Sequence, residues 1–186
     1  MKSLTQFIKE SQEIHESLIG DVVRKLLDTG LSWISGSVKW IANKSADAFA
    51  DIWKTHRDVL LNTYSEFRRS HPDYKPLFKN PKTPEEYTAN MMNIFLDEKR
   101  SADDKIKTAN KFIKNTRDNG SGTSIEKGNT IAMLTAQCYV GIAHNPKATE
   151  SDKTKAKNFL QNIKSSVDVD TANLIDSTIK YLISNK

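Results

Sequence analysis

The stretch His71-Pro72-Asp73-Tyr74-Lys75-Pro76-Leu77-Phe78-Lys79-Asn80-Pro81-Lys82-Thr83-Pro84-Glu85-Glu86 decides how this 186-residue chain is read. Its prolines at 72, 76 and 81 remove backbone donors and push the preceding residues out of the helical region, so no helix crosses it. The segment then turns into a start signal. Thr83 stands as an N-cap, Pro84 at the first helical position and Glu86 at the third. Helical patterning flanks the segment on both sides, and no period-2 alternation is long enough to be a strand. The chain is therefore expected to be all-α, with long N-terminal helices over 1–70 serving docking or oligomerisation. A proline-rich linker over 71–83 and a compact antiparallel helical bundle over 84–186 complete the expected organisation.

Working upstream, Ile14, Leu18, Val22 and Leu26 recur every four positions, and Gly30 follows as a C-cap, which predicts a first helix over 3–29. A second pattern runs from Leu31 to about Arg69, long enough to be a rod or to break near Gly36 or Asn43-Lys44-Ser45. Downstream, the helix opened by Thr83 is expected to end near Glu98. Ser101-Ala102-Asp103-Asp104 starts another, with its aspartates at the positive end of the helix dipole, and that helix ends before Asp118-Asn119-Gly120-Ser121-Gly122. Three more are expected at about 124–144, 150–166 and 170–184.

Few residues suggest chemistry. The single cysteine, Cys138, lies in the apolar run Ile131–Val140 and reads as a buried thiol, so no disulfide forms within the chain and a reducing compartment is expected. Histidines 15, 56, 71 and 144 are far apart and lack metal-ligand spacing. The run Asp118–Gly128 has the glycines of a phosphate loop leading into a helix, but lacks the Gly-Lys-Ser/Thr ending and a preceding strand, and reads as a loop with an N-cap. Asp103-Asp104 and Glu85-Glu86 sit in helix first turns, where carboxylates are favoured structurally. No nucleophile, base and orienter can be assembled, so no catalytic residue, cofactor or metal is expected.

The net charge of +5 is spread unevenly, with 13 Lys and Arg against 9 Asp and Glu in 101–186. Lys105, Lys107, Lys111 and Lys114 on one helix, and Lys153, Lys155 and Lys157 on another, read as solvated faces. Nucleic-acid binding would need them to converge on one surface. Lys9, Glu10, Glu13 and Glu16 interrupt any signal-peptide core, and no stretch reaches the ~18 apolar residues of a membrane span.

Trp33, Trp40 and Trp53, at offsets of seven and thirteen, share a broad helical face with Phe49. That face reads either as core or as an oligomer interface, where aromatic anchors and neighbouring small residues such as Gly36 and Ala46 admit a second subunit. At the start of the chain, Leu4, Phe7 and Ile8 form one apolar stripe suited to a partner's groove, or else the first turns of a core helix. The pattern Met1-Lys2-Ser3-Leu4-x-x-Phe7-Ile8-x-Glu10 resembles the capsid-targeting peptides of proteins packaged into T-even phage heads. The resemblance covers about ten residues. It implies a non-enzymatic tailed-phage virion protein, made in the host cytoplasm. Such a protein would be a portal, connector or tail-ring subunit, or a head cargo protein, with capsid, scaffold or portal proteins and copies of itself as partners. The alternative is a basic helical module of the cytoplasm that binds nucleic acid.

Overall fold

Side-chain caps set the starts of the five helices after the first in the computed structural model, which describes residues 46–184. The helices are α1 (Ala46–Ser70), α2 (Pro84–Leu96), α3 (Ala102–Asn119), α4 (Ser124–Ala143), α5 (Glu150–Ser165) and α6 (Val169–Ser184), and no strand occurs among the described residues. Thr83, Ser101, Thr123 and Thr149 each accept a hydrogen bond from the backbone N–H three residues on, and Asp168 does the same for Thr171. At Thr123 and Thr149 the third helical residue, Glu126 or Asp152, returns a bond to the cap, completing two capping boxes. All five downstream helices fall within two residues of the spans read from sequence. The expected helix over 3–29 lies outside the described residues. The described part of the second pattern begins at Ala46, just past Asn43-Lys44-Ser45.

Helix α4 is the hub and packs against each of the other five. Its sequence explains this, because small and apolar residues occur all round it, and thirteen of its twenty residues are buried. Each large side chain enclosed there, such as Leu134, contributes about 1.5–3 kcal/mol of burial. Gly141 permits a close approach of backbone to backbone. A Cβ at this position would lie 2.4 Å from the Phe95 carbonyl oxygen at the end of α2. Helix α1 supplies His56, Leu60, Thr63, Tyr64 and Phe67 to the same core on an i, i+4, i+7, i+8, i+11 stripe.

Among the described residues, the proline-rich segment expected as a linker over 71–83 packs on this core. Leu60, Tyr64 and Phe67 of α1 share one apolar cluster with α2–α6, and Tyr74, Leu77 and Phe78 pack against it. Asn90, fully enclosed on α2, holds the segment by both ends of its amide. Its Oδ1 accepts from the Phe78 N–H at 2.9 Å and its Nδ2 donates to the Phe78 carbonyl at 2.8 Å. The Tyr74 hydroxyl donates to the Asn90 carbonyl at 3.0 Å, and the Tyr74 ring meets Phe67 edge-on at 5.2 Å. A segment barred from helix by its prolines thus satisfies its backbone through side chains and becomes a strap.

Candidate functional site

The buried stripe of α3 runs through Ala102, Lys105, Thr108, Ala109, Phe112, Ile113 and Thr116, and one member of it is a lysine. Lys105 is 3% exposed. Its Nζ donates to the Gly141 carbonyl, 3.3 Å away in the last turn of α4, where unpaired carbonyls form the negative end of the helix. Burial draws the amine below the ordinary lysine range. The carboxylates of Asp97 and Asp152 and the Cys138 thiol oppose that shift, while Arg100 adds to it. The same burial pushes the Cys138 thiol well up, which keeps it protonated.

Beside Lys105, the start of α3, the end of α4 and the start of α5 frame an open cavity of about 290 Å³. Arg100 stands on its edge, tied by Nε and Nη2 to Asp104 at 2.8 and 2.5 Å and by Nη2 to Thr108 at 3.0 Å, with its guanidinium 4.7 Å over the Phe67 ring. Its Nη1 is buried and has no hydrogen-bond partner. Burial pushes the Asp104 carboxyl up, but the contacts with Arg100 and then His71 outweigh it and hold the group below the usual carboxylate range.

A second polar cluster ties α1 to the loop before α4. His56, fully buried, sits with Nε2 2.7 Å from the Ser121 carbonyl and Nδ1 3.0 Å from the Thr130 hydroxyl. A neutral ring that donates from Nε2 and accepts at Nδ1 satisfies both contacts. The Thr55 hydroxyl donates to Glu126 Oε1 at 3.0 Å, while Glu126 Oε2 accepts from the Thr123 N–H at 2.6 Å. Gly122 adopts φ +94°, and Thr55 would lie 2.4 Å from a Cβ there. The glycine-bearing run 118–128 is therefore a docked, self-capped loop whose helix N-terminus already faces its own carboxylate, the opposite of a phosphate cradle.

The sequence-derived sites are placed as follows. Leu4, Phe7, Ile8, Trp33 and Trp40 lie outside the described residues, and so does the side chain of Phe49. Trp53 is half-buried against the core of its own chain, 5.5 Å from the Tyr87 ring. Lys105 departs from the expected solvated face. Lys107, Lys111 and Lys114 are exposed while Lys105 is enclosed, and its register with Ala102, Ala109 and Phe112 was the available signal. Several surface lysines meet carboxylates, with Lys111 on Glu66 at 2.7 Å, Lys153 on Glu150 at 2.6 Å, Lys155 on Asp103 at 2.5 Å, and Lys147 and Lys164 on Glu98 and Asp176. Among the described residues no group of three His, Cys, Asp or Glu could hold a metal, and no helix is long and apolar enough to cross a membrane. No family model, curated protein or solved structure matches the chain.

Proposed function

We propose that this chain is a non-catalytic structural component of a tailed-phage virion, acting through helix-mediated contacts with other virion proteins and with copies of itself. The observation that carries the reading is the N-terminal pattern Met1-Lys2-Ser3-Leu4-x-x-Phe7-Ile8-x-Glu10, with its resemblance to capsid-targeting peptides. An apolar stripe of Leu4, Phe7 and Ile8 would seat in a partner's groove, as amphipathic helices do elsewhere.

The polar groups of the bundle fit a binding role better than a reaction. His56, Glu126, Asp152 and Asp168 are spent on caps and inter-helix ties. The lysine–carboxylate pairs leave the basic excess of 101–186 partly neutralised in place, so a phosphate backbone would compete with existing partners. Two exposed apolar side chains, Ile125 at 75% and Val169 at 74% exposure, stand at the start of α4 and of α6 as further contact candidates.

The test pairs solution mass with packaging. Light scattering at low and high salt should give either a salt-resistant ring-sized oligomer, for a connector or tail subunit, or a monomer whose Phe7→Asp variant folds normally and is no longer packaged, for a head cargo protein. Salt-sensitive binding to DNA together with unimpaired packaging of Phe7→Asp would refute the virion reading in favour of a nucleic-acid module.

A further inference from the structure

The cavity beside Lys105 is lined by Lys99, Arg100, Lys105 and Lys147 against Glu98 and Asp152. Most of that charge is already committed. Arg100 is held by Asp104 and Lys147 by Glu98, while Asp152 accepts from Thr149 in its capping box. Lys105 differs, because its ammonium has three N–H donors and a single hydrogen-bond acceptor, the neutral Gly141 carbonyl at 3.3 Å. The Arg100 guanidinium is turned to the Phe67 ring, Asp104 and Thr108, which leaves Lys105 as the buried cation short of acceptors. A buried ammonium in that position is costly, and a charged acceptor relieves the cost more than a neutral one. Between these groups the lining mixes the polar Ser101 and Asn145 with an apolar patch of Ala102, Ile142 and Ala148.

We infer that this cavity binds a small aliphatic monocarboxylate, its carboxylate accepting from Lys105 Nζ and its short tail lying against Ala102, Ile142 and Ala148. The charge balance selects a monoanion. Glu98 and Asp152 share the lining, so each further negative charge on a ligand such as phosphate meets carboxylates at close range without a second uncommitted buried cation to offset it. The volume of about 290 Å³ sits at the small end of ligand pockets and suits a molecule of a few carbons. Desolvation of the Lys105 amine points the same way, since a bound carboxylate restores the partner that burial in the fold withholds.

The test uses the full chain, isotope-labelled, titrated with sodium butyrate and, at matched ionic strength, with butyramide, sodium chloride and inorganic phosphate. Butyrate should give saturable amide shifts centred on Ala102, Gly141 and Ile142. Butyramide and chloride should give none there, and phosphate should bind more weakly. Lys105→Met keeps the apolar stem, removes the donors and should weaken butyrate by about tenfold or more with the circular dichroism spectrum unchanged. Should that variant not fold, Ala148→Phe fills the cavity from its half-exposed rim and should abolish the same shifts in a folded protein. Absence of saturable shifts, equal binding by folded Lys105→Met, or tighter binding of phosphate than of butyrate would each overturn the assignment.

Discussion

Replacing Asn90 with alanine should loosen the strap and, through it, the seating of α1. The substitution removes the two hydrogen bonds of 2.9 and 2.8 Å by which α2 holds the backbone of Phe78. Each such hydrogen bond contributes about 0.5–1.5 kcal/mol, so losing the pair costs about 1–3 kcal/mol. Adding the small void left at a fully enclosed position gives an expected loss of about 2–4 kcal/mol. For a domain of this size each kcal/mol moves the melting temperature by about 2–4 °C, so a drop of roughly 5–15 °C is expected. Urea unfolding followed by far-ultraviolet circular dichroism and by tryptophan fluorescence, in a background where Trp33→Phe and Trp40→Phe leave Trp53 as the reporter, is the assay. Both signals should shift together in one transition, since Trp53 on α1 packs on Tyr87 of α2 within the single core. The control is Asn93→Ala, which removes one exposed bond of 3.2 Å to Lys75 and should cost less than about 1 kcal/mol. A loss below about 0.5 kcal/mol for Asn90→Ala, or a fluorescence transition that separates from an unmoved helical one, would refute the account of the strap as part of one core.

The His56 junction makes stability depend on pH in a definite direction. Burial holds the folded imidazole below its ordinary 6.5, so as pH falls under that value the unfolded chain gains a proton that the folded one resists. Stability is accordingly full above the unfolded value and declines towards the folded one. Urea midpoints should therefore drop as pH falls below the ordinary 6.5, and His56→Gln should flatten that slope; an unchanged slope in the variant would show that other groups carry it. At Gly141 even the smallest side chain is excluded, because its Cβ would lie 2.4 Å from a backbone oxygen of α2. Gly141→Ala should cost about 1–3 kcal/mol or more in denaturant titration, and a neutral result would mean that the ends of α2 and α4 are not so closely packed.

Helix starts were legible because they rest on local chemistry. Thr83-Pro84-Glu85-Glu86, Ser101 followed by two aspartates, and Thr123 three residues before Glu126 each satisfy their own turn whatever surrounds them. The prolines between 72 and 81 likewise dictate non-helical backbone in any context. What that backbone packs against is not local. Asn90 fastens the strap from twelve residues downstream, and nothing in its neighbourhood of Thr88-Ala89 and Met91-Met92 distinguishes it from a solvent-facing amide except its place in an apolar run. Lys105 was hidden for a related reason. Lysines at 105, 107, 111 and 114 look alike as composition, and only helical register sets the first apart from the rest.

The two anion-like features of the chain are separated by the question of where their donors go. The 118–128 loop has glycines and a helix N-terminus, the usual marks of a phosphate site. Its exposed donors are nevertheless taken by Glu126, whose carboxyl the Thr123 backbone and hydroxyl bonds, joined by Thr55, hold below its ordinary value. A loop that carries its own acceptor has no use for another. At Lys105 no motif exists, and an ammonium in the core faces one carbonyl and a cavity. Burying a cation with one hydrogen-bond acceptor is costly, and the C-terminal carbonyls of α4 together with the Asp97 and Asp152 carboxylates recover part of that cost. The remainder is what an anionic ligand would offset. Donor satisfaction, more than motif resemblance, therefore makes the Lys105 cavity the place in the described bundle where a small molecule has something to add.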